Sequence, residues 1–293
     1  REFIRHLEDS SDLIRIKKEV SSFLEITEIH RRLIDRCGPA ILFESVVNEF
    51  GQKSNIPVLV NLFGTTQRVA MGLGTHHSRL REVGELLAFL KSPTPPESLK
   101  AAFDMLPLFK TLMSMKPKYV KKGLCQELIF RESSDIDLTK FPIQTCWPHE
   151  PAPLITWPLV VTKGPSMHSC DNYNLGVYRM QVLGKNKAIM RWLKHRGGAQ
   201  HYHRWISAKK EDLPAAVVIG ADPGTILAAV TPIPDSISEY QFAGLLRNKS
   251  VELVDCITVP IKVPANAEII LEGYVRMEEY HEEGPYGDHT GYY

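Results

Sequence analysis

Apolar residues recur at helical spacing over 23–37 and stop at Gly38-Pro39, after which 40–44 is a short unbroken apolar run. That pattern predicts a helix followed by a strand. Residues 57–62 read as a further strand and 79–91 as a further helix. The Pro/Ser stretch 92–96 interrupts the pattern, and another helical stretch, broken at Pro107, follows over 99–115. From about 120 onward the texture changes. Alternating and β-branched segments at 154–162, 174–183, 188–193, 215–220, 251–254 and 267–275 suit strands, while helices fit only 199–209, 222–229 and 238–247. Strands and helices do not alternate strictly, and no G-x-G-x-x-G follows a strand, which disfavours a doubly wound dinucleotide-binding sheet. The reading is therefore α+β: an N-terminal α/β domain over 1–118 and a strand-rich, barrel-like domain over 119–293.

Composition narrows the class. A chain of 293 residues exceeds the usual size of one core, which supports two domains. With 43% hydrophobic residues, 24% charged residues and a net charge of +1, it is an ordinary globular composition without the basic excess that nucleic-acid binding leaves. Cys37, Cys125, Cys146, Cys170 and Cys256 are scattered, with no C-x-x-C pair, so reduced thiols in a cytoplasmic compartment are expected rather than disulfides or a zinc ribbon. The first twenty residues are too charged for a signal peptide, and no apolar run is long enough to span a bilayer. The chain opens on Arg1 and stops at Tyr293, just past a dense polar motif, so it is expected to be part of a longer chain.

Polar information is concentrated in a few stretches. After the apolar run 188–193 come Lys194, His195, Arg196, Gly197 and Gly198, then a helical pattern: a strand, a double glycine and a helix start, as in a phosphate cradle. Arg191, Lys194 and Arg196 would supply cations. The same residues also suit a tight turn with a solvated basic edge. On a helix, His201 and His203 point to different faces, so at most one of them serves a given metal. Asn174 and Arg179 stand five apart on one predicted strand, hence on opposite faces unless a bulge or strand end intervenes, which Gly176 would permit. Glu283 and Asp288 flank the compact Gly284-Pro285-Tyr286-Gly287 turn, where like charges would raise one carboxyl pKa, or where both could simply be solvated. Glu239 follows Ser236 and Ser238, either of which could cap a helix.

Taken in order, 174–179 (Asn-Leu-Gly-Val-Tyr-Arg), 191–199, 238–246 and 283–293 make the chain resemble the UbiD family of decarboxylases. Matching stretches at 24–29 and 61–65 extend the resemblance over nearly the whole length. It implies a split β-barrel flavin-binding domain over 119–293, with a C-terminal domain, used in oligomers and in closing the site, missing from this chain. It also implies prenylated FMN, manganese or another divalent metal at the flavin phosphate, and a potassium ion beside it. Residue by residue, Asn174 and Glu239 fall on metal ligands, with His201 where some members supply a histidine. Val177, Tyr178 and Arg179 fall on flavin contacts, as do Arg191, Trp192, Leu193, Arg196 and Gly197. Arg179, Glu283 and Asp288 fall on the catalytic trio, with Asp288 in the proton donor's place. The implied activity is non-oxidative decarboxylation of a 4-hydroxybenzoate bearing a polyprenyl tail, in ubiquinone biosynthesis. Another aromatic or cinnamic acid, or a non-catalytic member of the fold, is the alternative. The implied partners are a flavin prenyltransferase, which supplies the cofactor, and further copies of the chain.

One feature stands outside the resemblance. Met105, Leu108, Phe109, Leu112, Met113 and Met115 form an apolar helical stripe followed by Lys116, Lys118, Lys121 and Lys122. Such a segment suits either peripheral docking on an anionic membrane or packing between two domains.

Overall fold

The computed structural model describes residues 1–92, 112–166, 168, 172–234, 236–288, 290 and 292. Most of the helical stretch expected over 99–115, with Met105, Leu108 and Phe109 of its stripe, lies outside the described residues.

In the N-terminal part, Leu13–Ile16 pairs in parallel with Ala40–Phe43, which pairs antiparallel with Val58–Val60. All four residues of Ala40–Phe43 are buried, so the run lacks polar alternation because it has no solvent face. Ile41 and Phe43 pack with Ile26 of the helix Glu25–Asp35, whereas Ala40 and Leu42 pack with Leu7 of the helix Glu2–Asp9. The helix Leu80–Lys91 matches the expectation for 79–91. Glu2–Asp9 and Thr66–Gly72 were not expected. The first has only Leu7 fully buried, and the second is seven residues long and begins at a Thr65 cap that accepts from the Arg68 amide.

The centre of the second part is a four-stranded antiparallel sheet in the order Asn174–Val177, Leu159–Thr162, Leu213–Ile219, Ile269–Val275. Both of its faces are covered. Leu159, Val161, Leu175, Ala216 and Val218 meet the helices Pro223–Val230 and Glu239–Arg247 through Ile226, Tyr240 and Phe242. Val160 and Val217, one position out of step, meet Ile155, Tyr178, Met180 and Val182 on the opposite face. Phe242 is fully buried at that interface, and truncating it to alanine would cost about 3–5 kcal/mol.

Two expected strands turn out to be two strands each. The segment 154–162 divides into Leu154–Ile155 and Leu159–Thr162, and 174–183 into Asn174–Val177 and Met180–Gly184. In each case the second half belongs to a different sheet from the first: Leu154–Ile155 and Met180–Gly184 join Lys187–Met190 in a separate three-stranded sheet. Pro158, which has no N–H to give a ladder, sits at the first break, and Tyr178-Arg179 forms the second. The two sheets thus share a pair of bent strands, and none of the sheets closes on itself among the described residues. The expected strand 188–193 ends early, at Met190, so that Arg191, Trp192 and Leu193 leave the sheet.

Candidate active site

The corner between the two sheets decides which side chains can meet. Asn174 lies on the larger sheet and Arg179 in the break that follows, so the opposite-face argument that holds for a continuous strand does not apply. The relief comes from a strand end at Tyr178-Arg179 rather than from a bulge at Gly176.

Around Asn174 the fold collects three candidate donors. Asn174 stands opposite Thr162 in the ladder, and the Thr162 hydroxyl lies 2.9 Å from His201 Nδ1. His201 is buried, on the helix Gly197–Lys209, whereas His203 on the same helix is exposed, as their two-residue spacing requires. The tautomer in which Nδ1–H donates to Thr162 leaves Nε2 deprotonated, the form a metal takes. Glu239 opens the helix Glu239–Arg247, which Ser238 caps in a reciprocal box with Gln241. One Glu239 oxygen accepts from the Leu175 amide at 2.9 Å, which places the carboxylate beside Asn174. Asn174 itself has a buried side-chain nitrogen with no hydrogen-bond partner. Its amide oxygen packs so tightly on Gly197 that a Cβ there would stand 1.9 Å from it. No three His, Cys, Asp or Glu side chains among the described residues converge on a metal-sized locus, so a cation held here needs the asparagine amide. A carboxylate, an amide and one imidazole suit a hard divalent ion such as manganese or magnesium.

The helix Gly197–Lys209 starts without a side-chain cap from Arg196, and the Gly198 amide donates to the Tyr178 hydroxyl at 3.3 Å. Gly198 packs under the Trp192 indole, where a Cβ would approach to 2.8 Å. The double glycine therefore makes room for Asn174 and Trp192, in addition to leaving the helix N-terminus open to an anion. Trp192 stacks edge-on to Tyr178 at 6.0 Å and lies 6.0 Å from Tyr202. Val177 is half-buried, while Arg191, Leu193, Lys194 and Arg196 are exposed around this helix start.

On the other side of the corner, Arg179 forks onto Glu283 through Nε to Oε1 at 3.0 Å and Nη2 to Oε2 at 2.8 Å. Arg191 adds a more distant charge, 3.7 Å from the same carboxylate. The Arg179 guanidinium also stands over the Tyr286 ring, 5.4 Å from its centre. Burial, together with the charges of Glu150 and Glu283, pushes the Tyr286 phenol up, so it stays a hydroxyl. Asp288 is exposed and accepts from the Thr290 amide at 2.8 Å and from the Thr290 hydroxyl. A cavity of about 3200 Å³ runs along much of the molecule, from Phe3 to Asp288; it reaches Trp192, Lys194, Tyr202 and Gly287, whereas Asn174, Arg179, His201, Glu239 and Glu283 do not line it.

Three contributors escaped the sequence reading. Thr162 is found only by knowing that it faces Asn174 across a ladder. Gln181, buried, holds the Gly284 amide at 3.1 Å and lies two residues beyond Arg179, a spacing that could have suggested a shared face. Glu150 sits in a turn with no motif of its own.

Comparison with known proteins identifies the family. The family model for the 3-octaprenyl-4-hydroxybenzoate carboxy-lyase Rift-related domain, UbiD, matches residues 118–293, and the model for the N-terminal domain of the same enzymes matches 4–87. The chain belongs to the UbiD family. Among solved structures, the UbiD-class enzyme HmfF from Pelotomaculum thermopropionicum, in complex with FMN, is 27% identical with a TM-score of 0.81, over 100% of this chain and 58% of that one. An evolved dimeric form of the same enzyme, in complex with prFMN, is 26% identical with a TM-score of 0.81, covering 100% and 61%. The vanillic acid decarboxylase of Sedimentibacter hydroxybenzoicus in its closed form is 26% identical with a TM-score of 0.79, covering 98% and 57%. The chain thus spans less than two thirds of the length of these UbiD-class relatives.

Proposed function

We propose that this UbiD-family chain serves non-oxidative decarboxylation of an aromatic carboxylic acid with prenylated FMN. The observation that supports the reading is the Arg179–Glu283 fork, which follows five positions after Asn174 on the bent strand, with Glu239 held at Leu175 and His201 at Thr162. Solved relatives in complex with FMN and prFMN, and a relative named for vanillic acid, support the cofactor and the substrate class. Asn174, Glu239 and His201 would hold a divalent metal, manganese in first place, at the flavin phosphate, with a potassium ion nearby. Val177, Tyr178, Arg191, Trp192, Leu193, Arg196 and Gly197 would line the flavin.

When bound, the modified flavin supplies an electron sink for the pair left behind as carbon dioxide departs. Arg179 orients the substrate carboxylate and fixes Glu283 through its two-pronged hydrogen bond. Asp288, exposed and therefore easily reprotonated from solvent, delivers a proton to the ring carbon. The finer reading is a 4-hydroxybenzoate with a polyprenyl tail, on the route to ubiquinone; the family model's own description supports it. Among the described residues no helix is long and apolar enough to cross a membrane, so access to such a tail would be peripheral. The protein would act as a homo-oligomer, with cofactor from a flavin prenyltransferase.

The test is to co-express the full-length protein with a flavin prenyltransferase, then record the spectrum and mass of the released cofactor and carbon dioxide release from a panel of hydroxybenzoates and cinnamates. Prenylated FMN with turnover of the 3-prenylated 4-hydroxybenzoate is expected. Unmodified FMN alone, under conditions that mature another family member, would overturn the reading.

A further inference from the structure

The loop 283–288 carries two of the three residues proposed as catalytic, yet it has no helix or strand of its own. Its shape is set by what it lies on. Gln181 holds it at Gly284, and the buried Tyr286 donates to the Ala152 carbonyl at 3.0 Å. A Cβ on Gly284 would stand 2.2 Å from Pro151 Cγ, and one on Gly287 would stand 2.5 Å from Trp147 Cγ. The loop is therefore pressed along its length against the turn 146–152.

That turn is costly to make. His149 adopts φ 69°, a left-handed conformation that a residue with a Cβ rarely takes. Glu150 closes the turn by accepting from the Cys146 amide with one oxygen at 2.7 Å, while its other oxygen is buried with no hydrogen-bond partner. On its far side the turn is tied to the N-terminal part of the chain: the Thr145 amide donates to Ser22 and the Leu24 amide donates to Thr145. A strained residue and a half-satisfied carboxylate under one functional loop point to selection for the loop's position rather than for the turn's stability.

We propose that Glu150 is a positioning residue for the 283–288 loop. It holds Trp147, Pro151 and Ala152 in the arrangement that sets Glu283 against Arg179 and carries the loop on to Asp288, and through Thr145 it fixes that arrangement to the N-terminal part. The inference rests on the proposed roles of Glu283 and Asp288.

The experiment uses the full-length, flavin-loaded protein and two readouts: hydrogen exchange of the peptide covering 280–288, and steady-state kinetics. Glu150→Ala should speed exchange in that peptide at least about tenfold and lower kcat about 10- to 100-fold, with KM and flavin content unchanged, because a displacement near 1 Å is enough for such a loss. Glu150→Gln keeps an oxygen for the Cys146 amide and should stay near wild type in both readouts. Gly287→Ala should lower kcat in the same way, and adding Trp147→Ala, which opens space for the new methyl, should recover part of the loss. Wild-type exchange and kcat in Glu150→Ala, equal damage from Ala and Gln at 150, or strictly multiplicative effects at 147 and 287 would each overturn the proposal. If Glu150→Ala does not fold, the pair at 147 and 287 still decides it. If wild type turns over no acid, the functional reading fails, and the exchange readout alone decides the role of Glu150.

Discussion

Arg179 and Glu283, 104 positions apart, meet through two parallel hydrogen bonds, with only 28% and 14% of their side chains exposed. A fork of this kind fixes orientation as well as charge, because two N–H groups in one plane match two carboxylate oxygens. Arg179→Lys keeps the charge and loses the fork. It should lower kcat about 100-fold, as checked by steady-state rates per bound flavin. An unimpaired lysine variant would show that only charge matters there.

Gly197→Ala tests the proposed metal locus from outside it. The new methyl must displace the Asn174 amide oxygen, which lies 1.9 Å from where the Cβ would stand. Metal affinity should fall about 10- to 100-fold, and flavin should be lost with it. Metal analysis after dialysis, read against flavin absorbance, checks this. Glu239→Gln, which removes one charge from the same locus, should act in the same direction.

Asp288→Asn should lower turnover by about 10²- to 10⁴-fold while flavin binding survives, because an amide cannot give up a proton in the same way. Solvent-isotope effects on the residual rate would show whether proton delivery has become limiting. Wild-type rates would remove Asp288 from its assigned role.

Burial raises the phenol of Tyr173 to about 12 and that of Tyr202 to about 12, and pushes Tyr240 well above its ordinary value. For a folded pKa above the unfolded one, the contribution to stability is fully present below pH 10 and is lost as pH rises through about 12. Tyrosinate absorbance should therefore rise in two stages, exposed phenols first, and these three with Tyr286 together with alkaline unfolding. A single transition near pH 10 with the fold intact would contradict the packing of these rings.

Docking on anionic membranes has a direct check. Among the described residues of the stripe, Met113 is 79% exposed while Leu112 and Met115 pack against the core. Lys118 is already paired with Glu252 at 2.9 Å, so most of the attraction would come from Lys116, Lys121 and Lys122, each contributing about 1 kcal/mol near a lipid surface. Wild type should co-sediment with anionic vesicles less as salt rises, and a variant with Gln at 116, 118, 121 and 122 should bind more weakly. Equal binding by both ends the idea.

How far the sequence alone reaches can be seen at particular places. The helices at 199–209, 222–229 and 238–247 were readable within two residues because their apolar spacing and the caps at Asp222 and Ser238 are local. The breaks within 154–162 and 174–183 were not, because an apolar run buried on both faces looks the same whether it stays in one sheet or passes to another. Asn174, Arg179, Glu239 and Glu283 were visible as residue types in motifs. Their convergence was not, since it depends on a sheet corner and on pairings over 64 and 104 positions. Glu150 gave no signal at all, because its contacts are with backbone and packing partners brought in by the fold.

The corner at Tyr178-Arg179 also bears on which length changes the gene could tolerate. The connection between Leu159–Thr162 and Asn174–Val177 can lengthen without consequence for Asn174, whose place is set by its ladder partner Thr162. A single residue inserted between Val177 and Met180 would instead turn the side chain after the break toward the other face and take Arg179 away from Glu283. Insertions and deletions among descendants of this sequence should therefore gather before Asn174 and be absent from the few positions after it.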